Sequence, residues 1–130
     1  MSSAVRYYSR SGNTKALAEA IAEATGTRAV SVDDPDAAHS APVDVLFVGG
    51  ALYAYGIDSH LKSYLQTLKS YDATRAVVFS TSWVSKHAID LIKNGLLEAG
   101  IPVEDQVLYV RSKPSAAQLA EAATFAKQFV

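Results

Sequence analysis

The sequence contains no cysteine among its 130 residues. This absence excludes disulfide bonds, cysteine-ligated iron–sulfur clusters and thiol catalysis. Any redox chemistry of the chain therefore cannot come from pairs of sulfur atoms.

An excess of charge of one sign is also missing, as are long apolar runs. Twelve Lys and Arg residues against 13 Asp and Glu residues leave a formal net charge of −1, so no overall field attracts nucleic acid or an anionic membrane. No stretch approaches the ~20 apolar residues of a membrane span, and residues 1–3 run directly into a strand-like segment. We expect a cytoplasmic protein with no nucleic-acid partner and no membrane insertion.

The length and composition predict one globular domain over residues 1–130. Compact domains cluster near ~100 to 150 residues. Hydrophobic residues make up 49% of the sequence and charged residues 19%, which is enough apolar material for a core and too little charge for disorder.

Short apolar runs alternate with segments of helical periodicity. Residues 43–48 and 76–79 are rich in β-branched side chains, as is typical of strands buried on both faces of a parallel sheet. Four other segments carry apolar residues three or four apart, which predicts amphipathic helices. Their apolar positions are Leu17, Ala20, Ile21 and Ala24; Ile57, Leu61, Tyr64, Leu65 and Leu68; Ala88, Leu91, Ile92 and Leu96; and Leu119, Ala122, Ala123 and Ala126.

The ends of these helices carry recognisable signals. Gly26 and Gly100 stand where a left-handed residue would end a helix, and Ser115 with Gln118 forms a capping box. Residues 27–32 and 103–110 complete the strands, so the predicted order is β-α-β-β-α-β-α-β-α, an open doubly wound sheet. Ligands of such sheets bind beyond the carboxyl ends of the strands, which directs attention to the loops that start at Ser9, Gly49 and Ser80.

The first of these loops suits a phosphate group. It lies between the first strand and the first helix, and its predicted ligands are Ser9, Arg10, Ser11, Gly12, Asn13 and Thr14. The hydroxyls of Ser9, Ser11 and Thr14 can donate to phosphate oxygens, while Gly12 permits unusual dihedral angles and a close backbone approach. The amides of the helix N-terminus add donors and a partial positive charge. A turn of this composition could also simply cap the helix.

The pattern Ser-x-Ser-Gly-Asn-Thr after a first strand resembles the phosphate loop of the flavodoxin family, whose members bind flavin mononucleotide (FMN). The order of strands and helices also fits that family across nearly the whole chain. The resemblance implies a three-layer α/β sandwich, with a five-stranded parallel sheet of order 2-1-3-4-5 and helices on both faces.

Other phosphate-binding folds do not fit the residues. The sequence has neither a Gly-x-x-x-x-Gly-Lys-Ser/Thr loop nor a Gly-x-Gly-x-x-Gly fingerprint. A response-regulator receiver domain shares the topology, and Lys113–Pro114 resembles its Lys-Pro pair. The third strand, however, ends at Val48, Gly49 and Gly50, where a receiver needs its phosphoacceptor aspartate.

The second and third loops resemble the two loops that flank the flavin ring in the family. Their predicted cofactor contacts are Ala51, Leu52, Tyr53, Ala54, Tyr55, Gly56, Ser80, Thr81, Ser82 and Trp83. Within this resemblance, Tyr53 or Tyr55 stacks on one ring face, Trp83 covers the other, and a peptide near Gly56 presents a carbonyl to N5 of the reduced ring. Each aromatic side chain could instead pack in the core. The third loop is shorter than in ordinary flavodoxins, which are also often strongly acidic.

Several other residues allow simpler interpretations. The sequence favours a surface position for His39, His60 and His87, whose spacing does not match a metal site. Arg10 could reach the phosphate, although solvent exposure is favoured. Arg6 is unexpected in a central strand, and we expect a carboxylate partner if it is buried.

The resulting prediction is an FMN-binding electron-transfer protein with no catalytic side chain and no metal. Its partners would be a flavin reductase and a redox acceptor, either a protein or a small flat molecule. Two alternatives remain open. One is an FMN oxidoreductase acting on a quinone or porphyrinogen, because the second loop is also similar to that of flavodoxin-like protoporphyrinogen oxidases, although the chain lacks their extra downstream segment. The other is a flavin-free regulatory or binding module.

Overall fold

Five strands and four α-helices alternate along the computed structural model, which describes residues 2–39, 41–53, 56–82 and 85–130. The strands are β1 (Ser3–Tyr7), β2 (Ala29–Ser31), β3 (Val43–Ala51), β4 (Ala73–Thr81) and β5 (Leu108–Val110). The helices are α1 (Asn13–Thr25), α2 (Ser59–Thr67), α3 (His87–Glu98) and α4 (Ala116–Lys127), and a short 3-10 helix covers Pro35–Ala37.

The strands form one parallel sheet of order β2-β1-β3-β4-β5. This arrangement confirms the predicted order 2-1-3-4-5. The register aligns Tyr7 of β1 with Gly49 of β3, and Gly49 with Phe79 of β4. The carboxyl ends of the three central strands therefore meet at one edge of the sheet.

Two predicted strand ends were wrong because β3 and β4 extend further than the apolar runs. Gly49 and Gly50 belong to β3, and Ser80 and Thr81 belong to β4. A Cβ atom on Gly49 would lie 2.0 Å from a ring carbon of Phe79. Gly49 therefore allows close side-chain packing inside the sheet instead of starting a loop.

The two edge strands are shorter than predicted. β2 covers three residues of the expected 27–32. In the expected strand 103–110, Val103 forms an isolated bridge with Ala76 and regular pairing resumes at Leu108. Exposed polar residues Asp105 and Gln106 lie between these two points, and such residues favour loops over strands.

The core has two halves because side chains alternate across the sheet. In β3, Val45 and Phe47 pack with α1 and α4, whereas Leu46 and Val48 pack with α2 and α3. All four side chains are completely buried. Helices thus cover both faces, as predicted.

The predicted helix ends are confirmed. Gly26 and Gly100 have φ angles of 73° and 86°, and Ser115 and Gln118 form both hydrogen bonds of the capping box. None of the helices in the part of the chain that the structure describes is long and apolar enough to cross a membrane.

Arg6 is buried in β1 with 9% of its surface exposed. Its Nε donates to the carbonyl of Ala37 at 2.9 Å, and its Nη1 donates to the carbonyl of Val5 at 3.1 Å. The expected carboxylate partner was therefore wrong for the described residues. Carbonyl oxygens accept hydrogen bonds from two of the guanidinium nitrogens, but they carry no negative charge.

Candidate functional site

The carboxyl edge of the sheet brings the three predicted loops together. The amide of Tyr8, the first residue after β1, donates to the carbonyl of Gly49 at 3.2 Å. Further along the edge, Gly50 pairs with Ser80 and Ala51 pairs with Thr81. The first loop therefore lies beside the ends of β3 and β4.

Gly12 forms the N-cap of α1 in the left-handed region, with φ 93°. Gly12 has no side chain to cap this helix, and the first turn of α1 contains no acidic residue. The amides at a helix N-terminus carry a partial positive charge, and the space beside Gly12 is open, since nothing lies within 4 Å of a Cβ built on it. An anion could therefore approach the backbone at Gly12 closely.

The serine hydroxyls of the loop are oriented by its backbone. Ser9 Oγ accepts a hydrogen bond from the amide of Gly12 at 3.0 Å, and Ser11 Oγ accepts a longer one from Asn13 at 3.4 Å. A hydroxyl that accepts in this way keeps its own proton for donation. Ser9 and Ser11 therefore offer two O–H donors beside the uncapped helix, a donor set that fits a phosphate group.

Thr14 links the first loop to the end of β4. Its side chain is 1% exposed, and its hydroxyl oxygen lies 2.5 Å from that of Thr81, which is also buried. One hydroxyl of this pair donates to the other, so one proton stays available to a further acceptor. The two predicted cofactor ligands thus share a hydrogen bond with each other.

Ser80 and Ser82 of the third loop are both buried, and different atoms of the two residues form hydrogen bonds. Ser80 is completely buried and its Oγ donates to the carbonyl of Gly50 at 2.7 Å. This bond joins β4 to β3 and argues against a cofactor contact for that hydroxyl. Ser82 accepts a hydrogen bond at its carbonyl from the hydroxyl of Tyr109 at 2.7 Å, so β5 supports the third loop.

The second loop makes a tight reversal after β3. Ala51 and Leu52 are half-buried, and Tyr53 and Gly56 exchange backbone hydrogen bonds of 2.7 and 3.0 Å. Gly56 has φ 112°, and its carbonyl accepts from Tyr53. The predicted contacts Ala54, Tyr55 and Trp83 lie outside the described residues.

Arg10 bridges the first and second loops in a way that the sequence did not predict. Its Nη2 lies 2.6 Å from Oδ2 of Asp58, and its Nε lies 3.1 Å from the same oxygen. Its guanidinium carbon also lies 3.8 Å from the centre of the Tyr53 ring. Arg10 is 56% exposed, yet it is engaged by both groups instead of pointing freely into solvent.

Asp58, the residue immediately before α2, anchors this cluster. It is 6% exposed and its Oδ1 accepts from the amide of His60 at 2.7 Å, which makes it the N-cap. Burial raises the pKa of the Asp58 carboxyl, but the hydrogen bonds from Arg10 and His60 outweigh burial, so its pKa lies below the usual value. Asp58 is ionised at neutral pH.

His60 completes the cluster on its exposed side. Its Nδ1 lies 2.8 Å from Oδ1 of Asp58, and its ring stacks on Tyr8 with a centroid distance of 4.9 Å. The surface position predicted for His60 is confirmed, since its side chain is 53% exposed, but its contacts were missed.

Only part of this cluster has a signal in the sequence. An aspartate immediately before a predicted helix is a preferred N-cap, so Asp58 could have been found by that criterion. Arg10 and Asp58 are 48 residues apart, and no local pattern predicts their contact.

Comparison with known proteins gives matches in both sequence and structure. The flavodoxin domain family matches residues 4–120. A flavodoxin from the domain Archaea is 25% identical, with a TM-score of 0.87 over 99% of this chain and 96% of that chain. Oxidised flavodoxin 1 from Bacillus cereus is 20% identical, with a TM-score of 0.81 over 98% and 95% of the two chains.

A larger redox protein shares the fold in one part. This chain matches 34% of rubredoxin oxygen:oxidoreductase from Desulfovibrio gigas over 98% of its own length, with 17% identity and a TM-score of 0.83. None of the curated proteins matches the chain significantly.

Proposed function

The chain belongs to the flavodoxin family, and from this premise we propose that it binds one FMN non-covalently at the carboxyl edge of the sheet and carries electrons. Flavodoxins are FMN-binding electron carriers. Bound FMN supplies one- and two-electron chemistry that the side chains of this cysteine-free chain do not supply. The proposed partners are a flavin reductase and a redox acceptor, either a protein or a small flat molecule.

The observation that carries the proposal is the open N-terminus of α1. Its left-handed Gly12, the oriented hydroxyls of Ser9 and Ser11 and the absence of an acidic first turn suit a phosphate dianion. We assign the phosphate to the loop from Ser9 to Thr14. The proton left over by the Thr14–Thr81 pair is a further donor toward it.

The flavin ring is assigned to the space between the second and third loops. Arg10 covers one face of Tyr53, so Tyr53 can stack on a flavin only through its other face. Tyr55 and Trp83 remain the other proposed ring contacts. Ala51, Leu52, Ala54, Gly56 and Ser82 are proposed to shape the space around the ring.

Arg10 and Asp58 are assigned positioning roles in this site. The pair joins the loop proposed for the phosphate to the helix that follows the loop proposed for the ring. Because Asp58 neutralises the guanidinium, the Arg10 side chain holds Tyr53 in place and supplies less charge to a phosphate than a free arginine would. This arrangement favours a positioning role for Arg10 over a direct phosphate contact.

The proposal can be tested with the purified protein and added FMN. We expect a yellow protein that releases FMN on heating and binds FMN more tightly than riboflavin, which lacks the phosphate. Ser11→Ala should weaken FMN about tenfold and leave riboflavin unchanged, because a charge-assisted hydrogen bond is lost. Ser63→Ala, on the exposed side of α2, is the matched control.

Two outcomes would replace the proposal by its alternatives. A protein that stays colourless with excess FMN would be a flavin-free module of the same fold. Steady-state turnover of a quinone with NAD(P)H, without an added reductase, would show a self-contained FMN oxidoreductase.

A further inference from the structure

An open surface cavity lies away from the three loops, at the β2 side of the sheet. It has a volume of 410 Å³, and Ser3 and Val43 at the amino ends of β1 and β3 form part of its wall. The loops proposed for FMN follow the carboxyl ends of these strands. The cavity is therefore separate from the proposed FMN site.

Three basic side chains line this cavity: Arg6, Arg28 and His39. Asp36 is its carboxylate. Asp36 contacts Arg28 at 3.3 Å, and both side chains are largely exposed, at 68% and 71%. Exposed ion pairs of this kind are weak and easily exchanged, so Arg28 is able to turn toward another anion.

Arg6 is the buried member of the set and has no counterion. A guanidinium carries five N–H donors, and the carbonyls of Ala37 and Val5 accept two of them. Of the residues that the structure describes, none accepts from Nη2 and no carboxylate lies within 4 Å of the guanidinium. Since no buried side-chain nitrogen in the described part of the chain lacks a partner, Nη2 is the part of the guanidinium that solvent reaches, and it is available to an anion.

The surroundings of Arg6 also disfavour its positive charge. Burial lowers the pKa of Arg6; Tyr64 opposes that shift and Arg28 adds to it. Burial and the charge of Arg6 lower the pKa of His39, whose Nε2 lies 2.6 Å from the hydroxyl of Tyr64. His39 is therefore neutral at pH 7 and lines the cavity with a polar ring that carries no charge.

We propose that this cavity binds a phosphate group, either free phosphate or a small phosphomonoester, with Arg6 at its base and Arg28 at its rim. A planar guanidinium binds phosphate through two parallel N–H donors. A phosphate dianion balances the charge of two guanidinium groups better than a singly charged carboxylate does. The ligand would neutralise a charge that lies in β1 between β2 and β3.

Titration of the ¹⁵N-labelled protein, loaded with one equivalent of FMN, tests this site. Inorganic phosphate is added at constant ionic strength, and amide chemical shifts are followed. We expect saturable shifts at Arg6, Arg28, Ala37 and Ala38, none of which belongs to the first loop. Glycerol 3-phosphate forms a second arm. Tighter binding of this ester would identify a phosphomonoester, and equal or weaker binding would identify free phosphate.

Variants separate specific binding from general attraction of anions. Arg28→Gln removes an exposed charge without touching the core and should weaken phosphate about two- to fivefold. Arg6→Lys keeps the charge but loses the planar donor pair, and should weaken phosphate about tenfold or more. Lys127→Gln, which removes an exposed charge at the end of α4, should leave the affinity unchanged.

Three results would overturn the proposal. The first is a set of shifts that never saturate or that are confined to the loop from Ser9 to Thr14. The second is an equal loss of affinity in Lys127→Gln and Arg28→Gln. The third is acetate binding as tightly as phosphate. Because the shifts are assigned to residues, failure of FMN to bind at the first loop would be seen separately.

Discussion

The hydroxyl of Thr14 is part of the protein interior as well as of the proposed phosphate loop. Its 2.5 Å contact with Thr81 removes two polar atoms from water together. If one hydroxyl is deleted, the other remains buried without its partner, which costs more than deleting both. Substitution of Thr14 therefore affects stability even without a cofactor.

Thr14→Val should destabilise the FMN-free protein by about 1–3 kcal/mol, because the Thr81 hydroxyl loses its partner. Urea unfolding measures this free energy. The double variant Thr14→Val/Thr81→Val should be less destabilised than the sum of the two single variants. Strict additivity would show that the two hydroxyls do not depend on each other.

The Asp58 carboxyl should contribute to the unfolding free energy, and this contribution should be lost in acid. Its pKa is below the usual value in the folded state, so this contribution is present above the unfolded-state pKa and is lost as the pH falls through the folded-state pKa. Asp58→Asn can still cap α2 but cannot ionise. We expect the unfolding free energy of Asp58→Asn to fall less than that of the native chain when the pH is lowered below about 5.

The control for this prediction is Asp105→Asn, since Asp105 is exposed. Its unfolding free energy should follow the pH dependence of the native chain. An Asp58→Asn protein that did the same would show that the ion pair with Arg10 does not stabilise the ionised carboxyl.

At the residue scale, sequence reasoning identified the polar loop but not the contacts between loops. Within residues 9–14, the sequence singled out Gly12 as able to adopt unusual dihedral angles, and Gly12 has a positive φ of 93°. The partners of Arg10 and Thr14 lie 48 and 67 residues away. Such contacts follow from strand order and register, which no short sequence pattern encodes.

Among the elements, the packing of β3 explains two glycines near its carboxyl end, since Gly49 lies against β4 and Gly50 lies against α2. A methyl group on Gly49 would overlap the ring of Phe79, which is completely buried. A methyl group on Gly50 would lie 2.4 Å from Cδ2 of Leu61, the far end of a flexible side chain. The two positions therefore tolerate a larger residue to different degrees.

Gly49→Ala should lower the unfolding free energy by about 1–3 kcal/mol, because a rigid buried ring must move. Gly50→Ala should cost less, because Leu61 can adopt another rotamer. Parallel urea titrations of the two variants make the comparison. An equal cost would mean that both sites relax through the backbone and not through the side chains.

Helices were easier to predict than strand ends. The periodic apolar positions and the caps at Gly26, Gly100 and Ser115 located all four helices. Strand ends were wrong by several residues, because Gly49 and Ser80 were assigned to loops on composition alone. Their place in the sheet depends on Phe79 and Gly50, each from the neighbouring strand.

For the whole molecule, the order of the sheet followed from element order together with the resemblance to flavodoxins. Parallel strands need long crossovers, and the helix-length gaps provided them. The shape of the proposed site did not follow, because it depends on the close approach of three loops. Arg6 was singled out from the sequence, but its carbonyl partners and the cavity beside it required the structure.

FMN should stabilise the whole fold by mass action. At a free concentration one hundred times its Kd, a ligand that binds only the folded state adds about 2.7 kcal/mol to the unfolding free energy. We expect this gain with FMN for the native chain and a far smaller one for Gly12→Val. Thermal or urea unfolding with and without FMN measures it.

Gly26→Val is the matched control for Gly12→Val. Both glycines have positive φ angles, of 73° and 93°, and at neither would a Cβ contact other atoms within 4 Å. The backbone strain of a β-branched residue is therefore similar in the two variants. If Gly26→Val lost the gain from FMN as well, general strain and not the phosphate loop would explain the loss.

The hydrogen bond between Thr14 and Thr81 also bears on synthesis of the protein. The first loop emerges from the ribosome before its buried partner emerges, and 67 residues separate the two. At about 5–20 residues per second, this interval lasts several seconds. During that time the nascent chain contains the first loop without the strand that buries Thr14, so the proposed binding of FMN belongs to a late stage of translation.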